Sequence, residues 1–364
     1  MSNGPQWQVR PISPATLPKV VWDQLAEQQR RDHEYIRQFG HARPPVTQVF
    51  NGQRFIAVGG HMYLMPADAT KYFPDFLLRF VQIVFGREWW EAELARPVEK
   101  RHPVFQWRMK AMIFQNKQLK TPDGIYVAKT TGPMAAYYTF AYDLFVVADN
   151  QRLDEKMLAR LKHPEHFQGA RHELFAEATC IRAGYTIEHE DESSRLSRHA
   201  EFTATHRFTG DKVSVEAKSK HRPGVMGRGG DREVPGEYDL RIGKLMNDAI
   251  AKNPPHPLVV FLDLNLPWRM ADEILTLPPK RPLIHKALDM VRIGEEKLDP
   301  VSLLVATNHP AHYGQDEEET SKAHVCSLIS LKPVKPMLQP DALKEIHDAA
   351  MKFTHYPLFF PEQR

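Results

Sequence analysis

Cysteine and long apolar runs are both scarce in this sequence, and each absence excludes a class of protein. The 364 residues include two cysteines, Cys180 and Cys326, which lie far apart in the chain. A disulfide framework of the kind that stabilises small secreted domains is therefore excluded. No apolar run reaches the length of about 18 residues that crosses a membrane, and the first residues lack the apolar segment of a secretion signal. We therefore expect a cytoplasmic protein with no membrane partner.

An excess of charge of one sign and internal repeats are also missing. Lysine and arginine together number 48, and aspartate and glutamate 45, which gives a formal net charge of +3. This near balance leaves room for a local basic patch but does not by itself indicate a nucleic-acid-binding protein. The lack of a repeat excludes solenoid and propeller folds. The hydrophobic content of 42% is ordinary for a globular protein, and the length allows two domains.

The first part of the chain predicts helices around a small β-element. Asn51-Gly52 between TQVF and QRFIAVG is a strong hairpin signal, and HMYLM follows as a third strand. From about residue 70 to 163 the pattern predicts consecutive helices rich in aromatic residues. We interpret their tryptophans (Trp89, Trp90 and Trp107) as core residues rather than as a platform for stacking bases. We assign residues 1–164 to this N-terminal region, 165–335 to a second domain and 336–364 to a C-terminal helix and tail.

The stretch from Gly169 to Arg222 carries the most chemical information. It opens with a helix, because Leu174, Phe175, Ala178 and Ile181 recur at three and four residues and form one apolar stripe. Two glutamates of this helix, Glu173 and Glu177, lie one turn apart, so both can point the same way. The helix ends at Ala183-Gly184, where glycine has its usual place just past a helix end.

Two strands follow this helix, HAEFTATHRF and KVSVEAKSK, joined by a turn at Thr209-Gly210-Asp211. Closing the hairpin on this turn pairs Ala204 with Ala217 and Thr205 with Glu216. Since side chains alternate between the faces of a strand, one face is mostly apolar and can pack on the preceding helix. The other face is polar and gathers the carboxylates and lysine of Glu201, Glu216 and Lys218.

Two carboxylates and a lysine on one strand face are suited to phosphate chemistry. Hard divalent cations such as Mg²⁺ take one or two carboxylates together with water and phosphate oxygens. A metal held in this way neutralises the charge that develops on a reacting phosphate. A lysine two residues from a ligand can position the attacking water, and Glu173 or Glu177 can add a further ligand from the helix or orient a metal-bound water.

The ordered set of helix acid, strand acid and Glu216-Ala217-Lys218 resembles the PD-(D/E)XK nuclease superfamily. The resemblance implies an α/β fold: a restriction-endonuclease-like αβββαβ core with a mixed sheet, here preceded by the mostly helical N-terminal region with its small β-element. It further implies Mg²⁺- or Mn²⁺-dependent hydrolysis of DNA, with catalytic roles for Glu173, Glu201, Glu216 and Lys218 and metal ligation by the three glutamates. Where the family usually has Pro-Asp, this chain has Ala200-Glu201, so Glu190 or Asp191 is an alternative ligand.

A glycine-rich loop with basic residues follows the predicted site. Lys220, Arg222 and Arg228 lie in it, and we expect them to contact DNA phosphates, although a solvated surface loop is an equal interpretation. A homodimer or a partner protein bound through the N-terminal region is also compatible with the sequence. A role in defence against foreign DNA or in DNA repair fits the resemblance. The alternative function is a catalytically inactive nucleic-acid-binding or scaffold protein of a larger complex.

Overall fold

A computed structural model describes residues 19–117, 129–151, 153–189, 200–231, 242–266, 291–313, 324–352 and 354–361. The described residues form nine α-helices, a three-stranded sheet and a six-stranded mixed sheet. The first part of the chain contains α1 (Lys19–Phe39), β1 (Val46–Phe50), β2 (Gln53–Val58), β3 (His61–Pro66), α2 (Phe73–Phe85), α3 (Arg87–Ala95), α4 (Pro103–Asn116), α5 (Gly132–Asn150) and α6 (Glu155–Lys162). The second part contains α7 (Pro164–Arg182), β4 (Tyr185–His189), β5 (Phe202–His206), β6 (Lys212–Ser219), α8 (Ile242–Ile250), β7 (Leu258–Asp263), β8 (Leu303–Asn308), β9 (His324–Ile329) and α9 (Asp341–Met351).

The N-terminal region has the predicted mixture of helices and a small sheet. Strands β1, β2 and β3 form an antiparallel meander, with Phe50 opposite Gln53 across the predicted Asn51-Gly52 turn. Both turn residues have positive φ, as a tight hairpin turn of this kind requires. The aromatic helices pack into one core that includes Trp90 and Trp107, so the interpretation of these tryptophans as core residues is confirmed. Trp89 is half-buried against the same core.

The six-stranded sheet has the strand order β4-β5-β6-β7-β8-β9. Strand β5 runs antiparallel to both of its neighbours, β4 and β6. Strands β6, β7 and β8 are parallel to one another, and β9 is antiparallel to β8. Every residue of the central strand β7 is buried, because that strand has a neighbour on both edges and a helix on both faces. From α7 to β7 the elements follow one another as helix, three strands, helix and strand, the order that the resemblance implies.

The sheet is covered on both faces by apolar helix surfaces. On one face, Val215 and Phe261 pack with Phe175 of α7 and Ile346 of α9. On the other face, Val260 and Leu262 pack with the stripe Ile242, Met246 and Ala249 of α8. The predicted packing of the apolar hairpin face on the helix that carries Glu173 is therefore confirmed. The polar hairpin face lies on the α8 side.

Helix α7 joins the two parts of the molecule. Its Phe167 and Leu174 belong to the aromatic core of the N-terminal region, whereas its Phe175 belongs to the core under the sheet. The predicted boundary at residue 164 coincides with the first residue of this helix, and the division into three parts stays a prediction. The described residues contain no helix with the length and apolar character needed to cross a membrane.

The hairpin of β5 and β6 has the predicted faces but not the predicted register. Ala204 lies opposite Val213 and Thr205 opposite Lys212, a shift of four residues from the predicted pairing. The reason is the position of the turn: β5 ends at His206, and the hydrogen bond from the His206 amide to the Asp211 carbonyl centres the loop two residues earlier in the chain than predicted. Because the shift is even, every side chain keeps its predicted face.

The candidate active site

The candidate site lies where β5 and β6 separate. The last paired residues are Phe202 and Val215, so β6 continues from Glu216 to Ser219 with β7 as its paired neighbour. Glu201 stands one residue before β5, and its amide donates to the Val215 carbonyl at 3.0 Å. This hydrogen bond holds Glu201 beside Glu216, at the point where the pairing of β5 with β6 ends.

The structure brings together three of the four predicted catalytic side chains. The ammonium Nζ of Lys218 lies 2.7 Å from Oε2 of Glu216 and 3.3 Å from Oε1 of Glu201. Glu216 is fully buried, whereas the side chains of Glu201 and Lys218 are partly exposed. One buried and one partly exposed carboxylate therefore share a lysine at the edge of solvent, where a charged substrate can approach.

The charges of this cluster are strongly coupled. Burial raises the pKa of Glu216, and the ammonium groups beside it oppose that rise. Burial disfavours the charged form of Lys218, but the attraction of Glu216 and Glu201 outweighs it and raises the pKa of the lysine. Lys218 is therefore held as a cation, which suits it to stabilise negative charge rather than to accept a proton.

A second lysine in the cluster, Lys252, was not predicted from the sequence. Its Nζ lies 2.8 Å from Oε1 of Glu216 and 3.5 Å from Oε1 of Glu201. Lys252 follows the end of α8, where Asn253 has a positive φ and terminates the helix ahead of Pro254. The buried stripe of α8 passes through Met246 and Ala249, and the next position on that stripe, one turn later, is Lys252. This periodicity was the signal that could have identified it.

The predicted helix acid, Glu173, points to a different partner. Arg160 of α6 donates two hydrogen bonds to its carboxylate, at 2.6 and 2.5 Å. Burial raises the pKa of Glu173, while Arg160 lowers it and the nearby charge of Glu201 raises it further. Glu173 therefore influences the cluster through its charge, while its own carboxylate is paired with Arg160. Glu177, one turn later, is buried and accepts a hydrogen bond from Gln151.

The basic residues of the loop after β6 differ in their exposure. Lys220 and Arg228 are half-buried, and Arg228 lies 3.4 Å from a ring nitrogen of His221. Arg222 is only 1% exposed, and its Nε donates to the Leu264 carbonyl. The surface position expected for Arg222 is therefore wrong. DNA contact by Lys220 and Arg228 stays a prediction.

The first part of this loop is attached to the body of the protein. Gln168 of α7 accepts from the Arg222 amide at 3.0 Å and donates to the Arg222 carbonyl at 3.0 Å. Val225 and Met226 are buried in the aromatic core of the N-terminal region. The loop of glycines and basic residues therefore packs against the protein at its start, because its two apolar side chains have a core to enter.

A buried ion pair lies behind the site, on the α7 side of the sheet. Arg171 of α7 contacts Asp263 at the end of β7, with 2.7 Å between Nη2 and Oδ2. Thr307 donates to the other carboxylate oxygen of Asp263 at 3.3 Å, and the Asp263 carbonyl accepts from the Lys220 amide. The pair fixes α7, β7 and the start of the loop relative to one another.

An apolar groove of about 750 Å³ lies on the N-terminal region, far from the carboxylates in sequence. Its wall includes Leu64, Ile83 and Leu94, which are largely exposed. This is the surface at which the predicted partner protein or second copy of the chain would bind, and that binding stays a prediction.

The candidate site has two carboxylates among the described residues, Glu201 and Glu216. Within the described ranges, no group of three or more His, Cys, Asp or Glu side chains is arranged to hold a metal ion. The alternative ligands Glu190 and Asp191 lie outside the described residues. Glu201 and Glu216 are thus the two described carboxylates that a cation could contact together.

Comparison of the chain with protein-family models found no match. Comparisons with curated proteins and with solved structures found none either.

Proposed function

We propose that this chain is a metal-dependent nuclease that hydrolyses DNA phosphodiester bonds, with the restriction-endonuclease-like fold of the PD-(D/E)XK superfamily. The observation that carries the proposal is the meeting of Glu201, Glu216 and Lys218 where β5 and β6 separate. These residues come from the predicted motif, and they lie within a helix, three strands, a helix and a strand in the implied order.

The residues present fit a hard divalent cation. Both carboxylate oxygens of Glu216 are buried, and each contacts a cation: Oε2 lies 2.7 Å from Nζ of Lys218 and Oε1 lies 2.8 Å from Nζ of Lys252. Oε1 of Glu201 and Oε1 of Glu216 contact the same ammonium group, so one cation can reach both oxygens. Mg²⁺ or Mn²⁺ accepts such a pair of carboxylates and completes its ligands with water and phosphate oxygens. When bound, the metal supplies a Lewis acid that neutralises charge on the phosphate.

The side chains of the chain have separable tasks in hydrolysis. The oxygen of water forms a bond to phosphorus and releases a proton to the solvent, the bond from phosphorus to the leaving sugar oxygen breaks, and that oxygen takes up a proton from the solvent. Lys218, held as a cation, donates to the attacking water or to a phosphate oxygen and stabilises the charge that develops there. Glu201 and Glu216 would hold the cation, and Lys220 and Arg228 would contact flanking phosphates without reading the base sequence. A cytoplasmic role in defence or repair is part of the same proposal.

The proposal is tested by incubating the protein with supercoiled plasmid, linear duplex, single-stranded DNA and RNA, each with Mg²⁺, Mn²⁺ or EDTA. We expect cleavage of DNA that requires metal and is lost in Glu201→Gln and Glu216→Gln. Glu188→Gln is the matched control, since Glu188 is an exposed carboxylate on β4 of the same sheet. Absence of cleavage of any substrate by wild type, or equal cleavage by Glu216→Gln, would refute the proposal.

A scaffold or nucleic-acid-binding protein without catalysis is the second candidate function. One observation favours it: Lys218 and Lys252 together balance the charges of Glu201 and Glu216, so the cluster is neutral without a metal. This candidate predicts DNA binding that is unaffected by EDTA and no binding of Mn²⁺. A titration of wild type with Mn²⁺ therefore separates the two functions.

A further inference from the structure

Lys252 occupies the position in the site that a divalent cation would need. Its Nζ lies 2.8 Å from Oε1 of Glu216 and 3.5 Å from Oε1 of Glu201, so it bridges the two carboxylates. Lys218 contacts the same Oε1 of Glu201 but the opposite oxygen of Glu216, Oε2. The carboxylate pair thus has two cation positions, one on each side, and each is filled by a lysine.

The two lysines differ in how they reach the cluster. Lys218 lies on β6, two residues from Glu216 on the same strand face, so the sheet itself fixes its place. Lys252 reaches the cluster from the turn after α8, with no strand to hold it. Its side chain is 22% exposed, and the long flexible lysine stem allows the ammonium to move outward without a change in the backbone.

We propose that Lys252 is an internal competitor for the metal: its ammonium holds the carboxylate pair in the metal-free protein, and Mg²⁺ or Mn²⁺ must displace it to bind. This inference rests on the proposed function, because it concerns the cation of the same site. A divalent ion and an ammonium group cannot share the space between the two Oε1 atoms, since like charges at such short range repel strongly. The competition sets the metal concentration at which the site fills, and Lys218 keeps its place on the other side.

The first test is Mn²⁺ binding measured by calorimetry on wild type, Lys252→Gln and Lys244→Gln. Loss of the competing charge is expected to tighten Mn²⁺ binding by Lys252→Gln about tenfold, a change of about 1.4 kcal/mol. Lys244 lies on α8 and is exposed, so Lys244→Gln removes the same charge from the same helix and is expected to bind Mn²⁺ as wild type does. Lys252→Arg, which keeps the charge, is expected to stay within about threefold of wild type.

A second test uses wild type alone and does not depend on the folding of a variant. Lysine acetylation by an amine-reactive ester is followed residue by residue with mass spectrometry, in Mn²⁺ and in EDTA. Displacement predicts that acetylation of Lys252 rises severalfold in Mn²⁺, while that of Lys244 does not change. Unchanged or reduced acetylation of Lys252 would overturn the inference.

The outcomes also distinguish this inference from the proposed function. If wild type binds Mn²⁺ and Lys252→Gln binds it no more tightly, Lys252 is a structural ion-pair partner and the inference alone fails. If wild type binds no Mn²⁺ and DNA cleavage does not need metal, the metal-dependent nuclease and the competitor role of Lys252 fail together.

Discussion

Arg160 on α6 and Glu173 on α7 are joined by two hydrogen bonds, from Nη1 to Oε2 at 2.6 Å and from Nη2 to Oε1 at 2.5 Å. The planar guanidinium matches both oxygens of the carboxylate, which fixes the orientation of the acid. Glu173 is thus held beside the candidate site with its carboxylate directed at α6. Its predicted support of the metal requires this pair to open.

Removal of Arg160 is expected to destabilise the fold mildly. The Arg160 side chain is 40% exposed, so in its absence water can donate some of the hydrogen bonds that the Glu173 carboxylate loses. Arg160→Met should therefore lower the free energy of unfolding by about 1 kcal/mol. Denaturant unfolding measures this change, with Lys156→Met, an exposed lysine of α6, as the control. A double-mutant cycle with Glu173→Gln should show coupling; additive effects of the two changes would contradict the pairing.

The buried pair of Arg171 and Asp263 is expected to contribute more to stability. Asp263→Asn leaves the Arg171 charge without its carboxylate in the interior, and such losses cost about 3–5 kcal/mol. The change should be seen as a reduced unfolding midpoint at constant denaturant slope. A loss below about 1 kcal/mol in Asp263→Asn, within the range typical of surface changes, would show that the pair does not hold α7 to the sheet.

Asp263 also predicts a loss of stability in acid. Burial alone would raise its pKa, but Arg171, with His309, His172 and Thr307, lowers it below the ordinary value of 3.8. A group with a lowered folded pKa stabilises the native state fully above its unfolded pKa, and this gain is lost as the pH falls through the folded value. Wild type should therefore lose stability below about pH 4 more steeply than Asp263→Asn. Parallel acid unfolding curves for the two proteins would contradict this.

Glu177 predicts a pH dependence of the opposite sign. Burial, with the charge of Glu173, raises its pKa from 4.5 to about 8. The folded state then holds a proton that the unfolded state has lost, so this group makes stability fall as the pH rises from about 4.5 to about 8. Glu177→Gln can keep the hydrogen bond from Gln151. Its free energy of unfolding should therefore rise relative to that of wild type by up to roughly 1.4 kcal/mol per pH unit across this window. Thermal unfolding at pH 5 and pH 8 tests it, and an equal difference between the proteins at both values would refute it.

The C-terminal tail is expected to anchor the N-terminal core. Phe360 is fully buried against Phe73, and the guanidinium of Arg54 lies 4.0 Å from its ring centre. Phe360→Ala should lower the free energy of unfolding by about 3–5 kcal/mol. Leu358→Ala is the control, since that side chain is exposed and its loss should change stability by less than about 0.5 kcal/mol. Equal small effects of both changes would show that the tail is not part of the core.

Much of this fold could be predicted because its elements have clear periodic patterns and clear ends. Asn51-Gly52 identified the first hairpin, and the apolar stripe from Leu174 to Ile181 identified helix α7. Strand β4 was not located from its residues, because four of its five residues are exposed or half-buried and Tyr185 alone among them is buried. The hairpin register was wrong because the residue types at Thr209-Gly210-Asp211 predict a turn at that point, whereas the hydrogen bonds centre the loop two residues earlier in the chain.

The candidate site was predictable where its residues lie on one hairpin and not where they come from elsewhere. Glu201, Glu216 and Lys218 share a strand face, and an even register error leaves that face unchanged. The positions of Lys252 and Arg160 and the burial of Arg222 depend on how α8, α6 and the loop after β6 pack against other parts of the protein. Contacts of this kind join segments that are far apart in the sequence, so no local sequence pattern predicts them. They determine which carboxylates are paired with a basic side chain in the folded protein.

The most direct measurement is the single-turnover rate of DNA cleavage in saturating Mn²⁺ for wild type, Lys218→Met and Lys212→Met. Lys212 lies on the same strand and is exposed, so its substitution removes an equal charge away from the carboxylates. We predict a rate lower by about 10²–10³ for Lys218→Met and a rate near that of wild type for Lys212→Met. Cleavage by Lys218→Met at the wild-type rate would contradict the assignment of this site.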